Sequence, residues 1–369
     1  MKFLDVFSGI GGFRMGLEQA GHTCIGHIEV NEYARQAYEA IYDIKDDEYD
    51  GKDVTEIDDF GKLAGKYDIL VGGFPCQSFS IAGHRRGFED TRGTMFFELA
   101  RILEQTKPLL CLFENVKGLL SHDKGRTFET ILKTLDELGY DVEWKLLNSK
   151  DFGVPQKRER VFIVGHLRGR RTRKVFFNPE TRSEANDVEC AATVPTKYRG
   201  TGGETYVAHV EPEVIQIGKL KNGIRNNPQQ YRVFDDDGLS PTLSTAQGGG
   251  TQPHIKIKSC TKKGYEEAKP GDGINIGFTE SKTRRGRVGD QIANTLTTSG
   301  TMGTLENING EYRTRRLTPR EYWRLQGFPD QAFNRAKATG LSDRQLYKQA
   351  GNAVTVNVVK WIGERMWVE

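Results

Sequence analysis

Short apolar runs that end in glycine alternate with stretches of helical periodicity through the first half of the chain. Phe3-Leu4-Asp5-Val6-Phe7 is the first run and leads into Ser8-Gly9-Ile10-Gly11-Gly12. Residues 13–20 then carry a helix-like pattern closed by Gly21, while 24–29 read as a second strand and 31–42 as a second helix. Further strand-type runs fall at 67–73, 109–113 and 160–165, with a helical pattern over 127–138. Strands separated by helical stretches of about 10–15 residues predict an α/β fold with a mostly parallel, doubly wound sheet. In such a sheet the ligand lies beyond the carboxyl ends of the strands, so the residues there carry the interest.

From about 176 to 312 this rhythm is lost. Short β-type pieces such as Val214-Ile215-Gln216-Ile217 stand among many Gly, Asn and Thr. An imperfect repeat runs through this part. Arg232-Val233 leads to Pro241-Thr242-Leu243-Ser244-Thr245 and a glycine run, and Arg287-Val288 leads to Asn294-Thr295-Leu296-Thr297-Thr298 and further glycines. Two copies do not make a solenoid, and they predict two similar strand-loop elements in one loop-rich domain. Helix signals return at Thr318-Pro319-Arg320-Glu321, a capping-type start, and 353–367 reads as a closing helix.

Composition sharpens this division. Of 42 glycines, 18 fall in residues 191–310, so that part is built differently from the rest. Apolar residues make up 36% and charged residues 28%, enough to bury a core and to exclude wholesale disorder. The five cysteines are scattered without a Cys-x-x-Cys pair, which argues against a disulfide framework and a zinc site. No apolar run reaches the ~20 residues of a membrane span, and Asp5 interrupts the one apolar stretch at the start. The expectation is a cytoplasmic protein without metal. Net charge is only +3. Basic residues nevertheless cluster between Gln156 and Phe177, and again at Lys282, Arg284, Arg285 and Arg287, either as solvated faces or as contacts to a polyanion.

The strand ends carry the candidate chemistry. Gly9 to Gly12, between a strand and a helix, allow close backbone approach to a ligand, or simply a tight turn. Glu29 ends the next strand and suits a ribose hydroxyl pair, and Asp53 an adenine amino group; the other reading of each, the stronger one for Asp53 taken alone, is a solvated surface carboxylate. Cys76 follows Pro75 at the end of the 67–73 strand, a position better suited to a nucleophile than to a buried core thiol. Ser78 to Gly87, with Ser80, His84, Arg85 and Arg86, reads as a basic lid for a phosphate-bearing substrate. Glu114 ends the 109–113 strand. Arg158 and Arg160 would share a face if strand alternation holds, a pair suited to phosphate or a carbonyl oxygen. Thiol, carboxylate and arginines together outline covalent chemistry on an anionic substrate.

These segments resemble the DNA (cytosine-5)-methyltransferases of the bacterial or phage restriction-modification type. The matching stretches run in family order. They are Asp5-Val6-Phe7-Ser8-Gly9-Ile10-Gly11-Gly12, Gly73-Phe74-Pro75-Cys76-Gln77-Ser78-Phe79-Ser80 and Thr91-Arg92-Gly93-Thr94, followed by Glu114-Asn115-Val116. Asp151-Phe152-Gly153-Val154-Pro155-Gln156-Lys157-Arg158-Glu159-Arg160 continues the series, with Arg316 to Glu321, Gln326-Gly327-Phe328-Pro329 and Gln349 to Val354. The resemblance implies a Rossmann-like S-adenosylmethionine-dependent methyltransferase sheet, residues 1–175 plus 314–369, interrupted by a small, loop-rich β domain, 176–313, for target recognition. It implies double-stranded DNA as substrate and S-adenosylmethionine as cofactor, leaving S-adenosylhomocysteine as product.

The same resemblance assigns the roles. Cys76 would add to C6 of a cytosine flipped out of the duplex, with Gln77 beside it. Glu114 would engage N3, Arg158 and Arg160 the O2 and a neighbouring phosphate, and Asn115 would support Glu114. Phe7, Gly9, Gly11, Gly12, Glu29, Asp53, Pro75, Asn352 and Val354 would hold the cofactor. Ser80, His84, Arg85, Arg86, Arg284 and Arg285 would meet DNA, with one of the pairs Thr242-Leu243 and Thr295-Leu296; the sequence leaves open which. The chain departs from the usual pattern at Val30-Asn31 and at Ile41-Tyr42. A monomer, without an attached regulatory domain and with a separately acting restriction endonuclease as partner, completes the expectation. A tRNA methyltransferase, an inactive DNA-binding module and a nicotinamide oxidoreductase are the rival readings.

Overall fold

A computed structural model describes residues 1–75, 95–176, 233–234, 254–277, 286–308 and 311–367. The strands of the first half are β1 (Lys2–Val6), β2 (Thr23–Ile28), β3 (Tyr49–Gly51), β4 (Ile69–Gly73), β5 (Leu110–Val116), β6 (Tyr140–Asn148), β7 (Gln156–Lys157) and β8 (Glu159–Leu167). Four helices lie among them: α1 (Gly12–Gln19), α2 (Glu32–Ile41), α3 (Met95–Thr106) and α4 (Arg126–Glu137). Seven of the strands form one sheet in the order β3-β2-β1-β4-β5-β8-β6. All neighbours are parallel except β8, which runs antiparallel to both β5 and β6. From β1 the chain builds outward on one side through β2 and β3, and on the other through β4 and β5. The crevice between β1 and β4 is therefore the switch point at which such sheets bind ligands.

The central strands are buried on both faces, which is why they read as unbroken apolar runs. Leu4, Val6, Leu70, Cys111, Phe113, Val161 and Ile163 face the core under α3 and α4. Phe3, Ile69, Val71, Leu110, Leu112, Phe162 and Val164 face the other core. That second face is covered by α1 and by the last helix. The helices after residue 318 are α5 (Pro319–Leu325), α6 (Asp330–Ala338), α7 (Asp343–Asn352) and α8 (Val356–Gly363). Thr318 caps α5 in a full capping box with Glu321. The expected closing helix over 353–367 is shorter than its pattern, because Ala353 and Thr355 adopt extended backbone between α7 and α8.

The middle of the chain contributes β9 (Val233–Phe234), β10 (His254–Lys258), β11 (Tyr265–Ala268), β12 (Gly273–Asn275), β13 (Val288–Gly289), β14 (Ala293–Asn294), β15 (Met302–Ile308) and β16 (Glu311–Arg316). They form a three-stranded sheet, β11-β10-β9, and a four-stranded one, β13-β12-β15-β16. β14 instead pairs with β7 of the first half. Ala293, Leu296 and Met302 pack in one core with Tyr38, Tyr42, Tyr322 and Trp323. Residues 293–302 are thus joined to α2 and α5 rather than to the β-rich part alone.

Candidate active site

Four strand ends meet around the switch point. The turn after β1 winds through left-handed backbone at Phe7, Gly9 and Gly11, with φ of 58°, 56° and 78°. Gly9 donates its N–H to Glu29 Oε2 at 2.8 Å, and Asn31 donates to Glu29 Oε1 at 2.8 Å. Both carboxylate oxygens of Glu29 are thereby oriented at the end of β2. A side-chain carbon on Gly9 would meet nothing within 4 Å among the described residues. Gly12 is closed instead: a Cβ there would stand 2.7 Å from Val354 Cγ1. Val354 is 7% exposed and braces the turn from the opposite end of the chain, just beyond Asn352, the last residue of α7. Asp53 accepts two hydrogen bonds from Thr55, through N at 2.9 Å and Oγ1 at 2.7 Å, which hold its carboxyl below the usual range.

Glu114 lies near the end of β5 and Arg160 in β8. In the antiparallel register Glu114 faces Phe162 and Val116 faces Arg160, so Glu114 and Arg160 are diagonal neighbours on one face. Their side chains approach to 2.9 Å, Arg160 Nε to Glu114 Oε1, at 15% and 13% exposure. Gly73, at the end of β4, has no side chain, and a Cβ there would lie 3.3 Å from Glu114 Oε2. Asn115, on the opposite face and 2% exposed, donates from Nδ2 to the Phe74 carbonyl at 2.8 Å. It fixes the backbone just before Pro75, which is exposed.

Arg158 differs from the expectation of an arginine pair on one face. It sits in the break between β7 and β8, outside the strand, so alternation does not govern it. It is 2% exposed and donates from Nη2 to the Ala353 carbonyl at 2.9 Å. Burial, and then the charge of Arg160, push its guanidinium down to about 9, against the pull of Glu114. Arg158 Nε and Nη1 lack a hydrogen-bond partner among the described residues. Orphaned polar atoms of this kind are expensive unless something else completes them.

The profile of the C-5 cytosine-specific DNA methylases matches residues 1–367. The chain belongs to that family. The type II methyltransferase M.HpaII of Haemophilus parainfluenzae is 36% identical over 369 residues, 99% of this chain and 88% of its own. The orphan methyltransferase M.SPRI of Bacillus phage SPR is 33% identical over 430 residues, 98% of this chain and 96% of its own. Among solved structures, the S. pombe Dnmt2 methyltransferase superposes with a TM-score of 0.52 at 16% identity, covering 98% of this chain and 96% of its own. A putative DNA modification methyltransferase encoded within an E. coli prophage gives 0.53 at 19% identity, covering 99% and 97%. These last two are likenesses of fold: the sheet is the Rossmann-like sheet of S-adenosylmethionine-dependent methyltransferases.

As a C-5 cytosine methylase, the enzyme transfers a methyl group from S-adenosylmethionine to C5 of cytosine in DNA. Of the residues singled out in the sequence, the structure brings together Phe7, Gly9, Gly11, Gly12, Glu29 and Val354 around one turn, and Glu114, Asn115 and Arg160 at the neighbouring strand ends. Cys76, Gln77, Ser80, His84, Arg85, Arg86, Thr242, Leu243, Arg284 and Arg285 lie outside the described residues.

Thr295 and Leu296 part company. Thr295 is exposed and donates from Oγ1 to the Lys157 carbonyl at 2.8 Å. Leu296, expected as a DNA-facing residue, is 3% exposed and packed in the core with Tyr322 and Trp323, so its side chain serves packing. Sequence reasoning passed over Gln156, which is fully buried and ties β7 to both Leu296 and Leu325. A neutral amide at the head of the run Lys157-Arg158-Glu159-Arg160 was the available signal.

Among the described residues no His, Cys, Asp and Glu cluster is arranged for a metal ion, and no helix is long and apolar enough to cross a membrane.

Proposed function

We propose that Cys76 is the nucleophile and that Glu114, paired with Arg160, is the group that makes the cytosine ring accept it. The observation carrying this reading is the Glu114–Arg160 contact of 2.9 Å at the switch-point end of β5 and β8. Asn115 anchors Phe74 beside it, two residues before Cys76. C6 of cytosine is a poor electrophile until N3 is protonated or strongly hydrogen-bonded. Glu114 engages N3, the Cys76 thiolate bonds to C6, and electron density moves to C5. S-adenosylmethionine, when bound, supplies the methyl group that C5 accepts. Loss of the C5 proton and expulsion of the Cys76 thiolate then restore the aromatic ring. Arg160 steadies O2 and keeps Glu114 in place. Arg158, being buried, acts by holding Ala353 rather than by meeting a phosphate.

The residues at the turn fit the cofactor. Gly9, uncrowded among the described residues, and the oriented carboxylate of Glu29 suit the methionine and ribose parts, Asp53 the adenine, with Phe7, Gly11, Gly12, Pro75, Asn352 and Val354 around them. The substrate is duplex DNA from which the target base is flipped, since C5 is unreachable inside the stack. Residues 176–313 form the recognition domain, with Thr295 near the catalytic side and Thr242-Leu243, Arg284 and Arg285 as further contacts. Residues 1–175 and 314–369 form the catalytic domain. The enzyme acts as a cytoplasmic monomer, with any endonuclease of the same system acting separately.

The test is incubation with labelled S-adenosylmethionine and mixed-sequence duplex DNA, followed by mapping of methylated cytosines. DNA carrying 5-fluorocytosine is expected to trap a covalent adduct, because fluorine at C5 blocks elimination. Cys76→Ser is expected to lose both adduct and turnover; full activity in that variant would refute the mechanism. Glu114→Gln should cost at least about a hundredfold in kcat.

A further inference from the structure

The hydroxyl of Tyr42 reaches the glycine turn. Tyr42 is the first residue past α2, in extended backbone with φ −106° and ψ 142°, and it is 7% exposed. Its Oη donates to the Gly11 carbonyl at 2.5 Å and lies 3.4 Å from the Ile10 carbonyl. The Gly11 carbonyl also accepts the Met15 N–H at 2.8 Å, the first hydrogen bond of α1. Gly11 is the N-cap of that helix, in left-handed backbone, and has no capping side chain. Only glycine fits: a Cβ on Gly11 would fall 2.5 Å from Tyr42 Oη.

Tyr42 is itself held rigidly. The Arg14 guanidinium lies 4.7 Å from its ring centroid, and the Tyr38 ring stands 4.7 Å away. Arg14 is fixed in turn by Glu48 at 2.7 and 3.0 Å and by Glu18 at 2.9 Å. Burial drives the Tyr42 phenol well above its ordinary range, so it remains a neutral donor. The turn is thus gripped at Gly11 by Tyr42 and at Gly12 by Val354, and uncrowded at Gly9 among the described residues.

We infer that the Tyr42 hydroxyl is a positioning group for S-adenosylmethionine: it sets the Gly9-to-Gly12 turn in its binding shape before the cofactor arrives. The inference rests on the reading of that turn as the cofactor site. A turn left to order itself on binding would spend part of the interaction energy on its own ordering. A neutral hydrogen bond lost here corresponds to a change of roughly three- to tenfold in affinity.

Tyr42→Phe keeps the ring, its stacking and the contact with Arg14, and removes only the hydroxyl. The dissociation constant for S-adenosylhomocysteine and the KM for S-adenosylmethionine are expected to rise about three- to tenfold. Turnover at saturating cofactor and KM for DNA should stay unchanged. In the cofactor-free variant, the amides of residues 9–15 should exchange hydrogen faster than in the natural sequence.

An unaltered dissociation constant, an unaltered exchange rate, or a fall in kcat without a rise in KM would each overturn the inference. A merely structural role would lower the melting temperature without dividing KM from kcat. The reading beneath it is tested separately, by adding S-adenosylhomocysteine to the natural protein. Protection of the amides of residues 7–12 supports the turn as the cofactor site, and lack of protection there refutes that site, whatever Tyr42→Phe does.

Discussion

Asp5, the fourth residue of β1, has 0% exposure, and neither carboxyl oxygen has a hydrogen-bond partner among the described residues. Burial raises its pKa from 3.8 to about 8, although Arg14 pulls the other way. The folded protein therefore holds a proton on Asp5 at pH values where the unfolded chain has released it. Stability falls as pH rises through that window, by at most about 1.4 kcal/mol per pH unit. His27, fully buried and stacked on Tyr38 at 4.1 Å, works in the opposite sense. Burial lowers it from 6.5 to about 4, so its contribution is lost as pH falls between those values. The two effects offset one another below pH 6.5, and Asp5 stands alone above it. Urea unfolding should show declining stability between pH 6.5 and 8, and Asp5→Asn should flatten that decline. An unchanged slope in the variant would mean that another group supplies it. At this scale the sequence placed Glu29 and Glu114 at strand ends, where the structure has them. The burial of Arg158 and Leu296 was not legible, because a break in the strand and a contact across the chain, respectively, decide where those side chains point.

Among the elements, the pairing of α1 with α8 joins the first helix to the last. Gly16 and Gly363 let the helices meet at close range. A Cβ on Gly16 would stand 2.6 Å from Val359 Cβ and 2.8 Å from the Val356 carbonyl, and one on Gly363 would stand 2.9 Å from Leu17 Cδ2. Since part of what Gly16 meets is backbone, a side-chain rotation cannot relieve the clash. Gly16→Ala is expected to destabilise by about 1–3 kcal/mol through overpacking, despite the better helix propensity of alanine. A urea midpoint equal to that of the natural protein would show that the helices separate without cost. The strands were legible because the central sheet is buried on both faces and written in apolar runs. The capping box at Thr318 and Glu321 was legible because its chemistry is local. β3, only three residues long, left no such mark, while β6 is an edge strand marked differently, by Tyr140, Val142, Trp144 and Leu146 alternating with Asp141, Glu143 and Lys145. The end of α8 was overextended for a related reason. Its apolar residues continue past the helix into the core at Met366, so composition alone does not show where the helix stops.

Over the whole molecule, residues 293–302 belong to two neighbourhoods, and Gln156 is the joint between them. Its Oε1 accepts the Leu296 N–H at 3.3 Å, and its Nε2 donates to the Leu325 carbonyl at 2.8 Å. β14 runs beside it in register, Ala293 with Gln156 and Asn294 with Lys157. Gln326 extends the link, donating to the Ala350 carbonyl at 2.7 Å and accepting from Thr355 Oγ1 at 2.8 Å. That network reaches α7 and the start of α8, close to Val354 and the turn it braces. Nothing in the sequence pattern of 176–312 announces this, since two-residue strands and single side-chain bonds have no periodicity. Gln156→Ala removes three side-chain hydrogen bonds at once, to Leu325, Gln326 and Leu296, and leaves the Leu296 amide buried without one. The cost should be about 1–3 kcal/mol, the usual penalty for a stranded buried donor. Because the loss falls on the joint, hydrogen exchange should accelerate at residues 293–300 while β1 and β4 keep their protection. If Thr295 lies near the DNA, KM for DNA should rise in the same variant while the affinity for S-adenosylhomocysteine stays within about twofold, since no bond of Gln156 reaches the glycine turn. Equal losses of DNA and cofactor binding would instead mean that the joint holds the catalytic half together as a unit, with no separate part in presenting the recognition side.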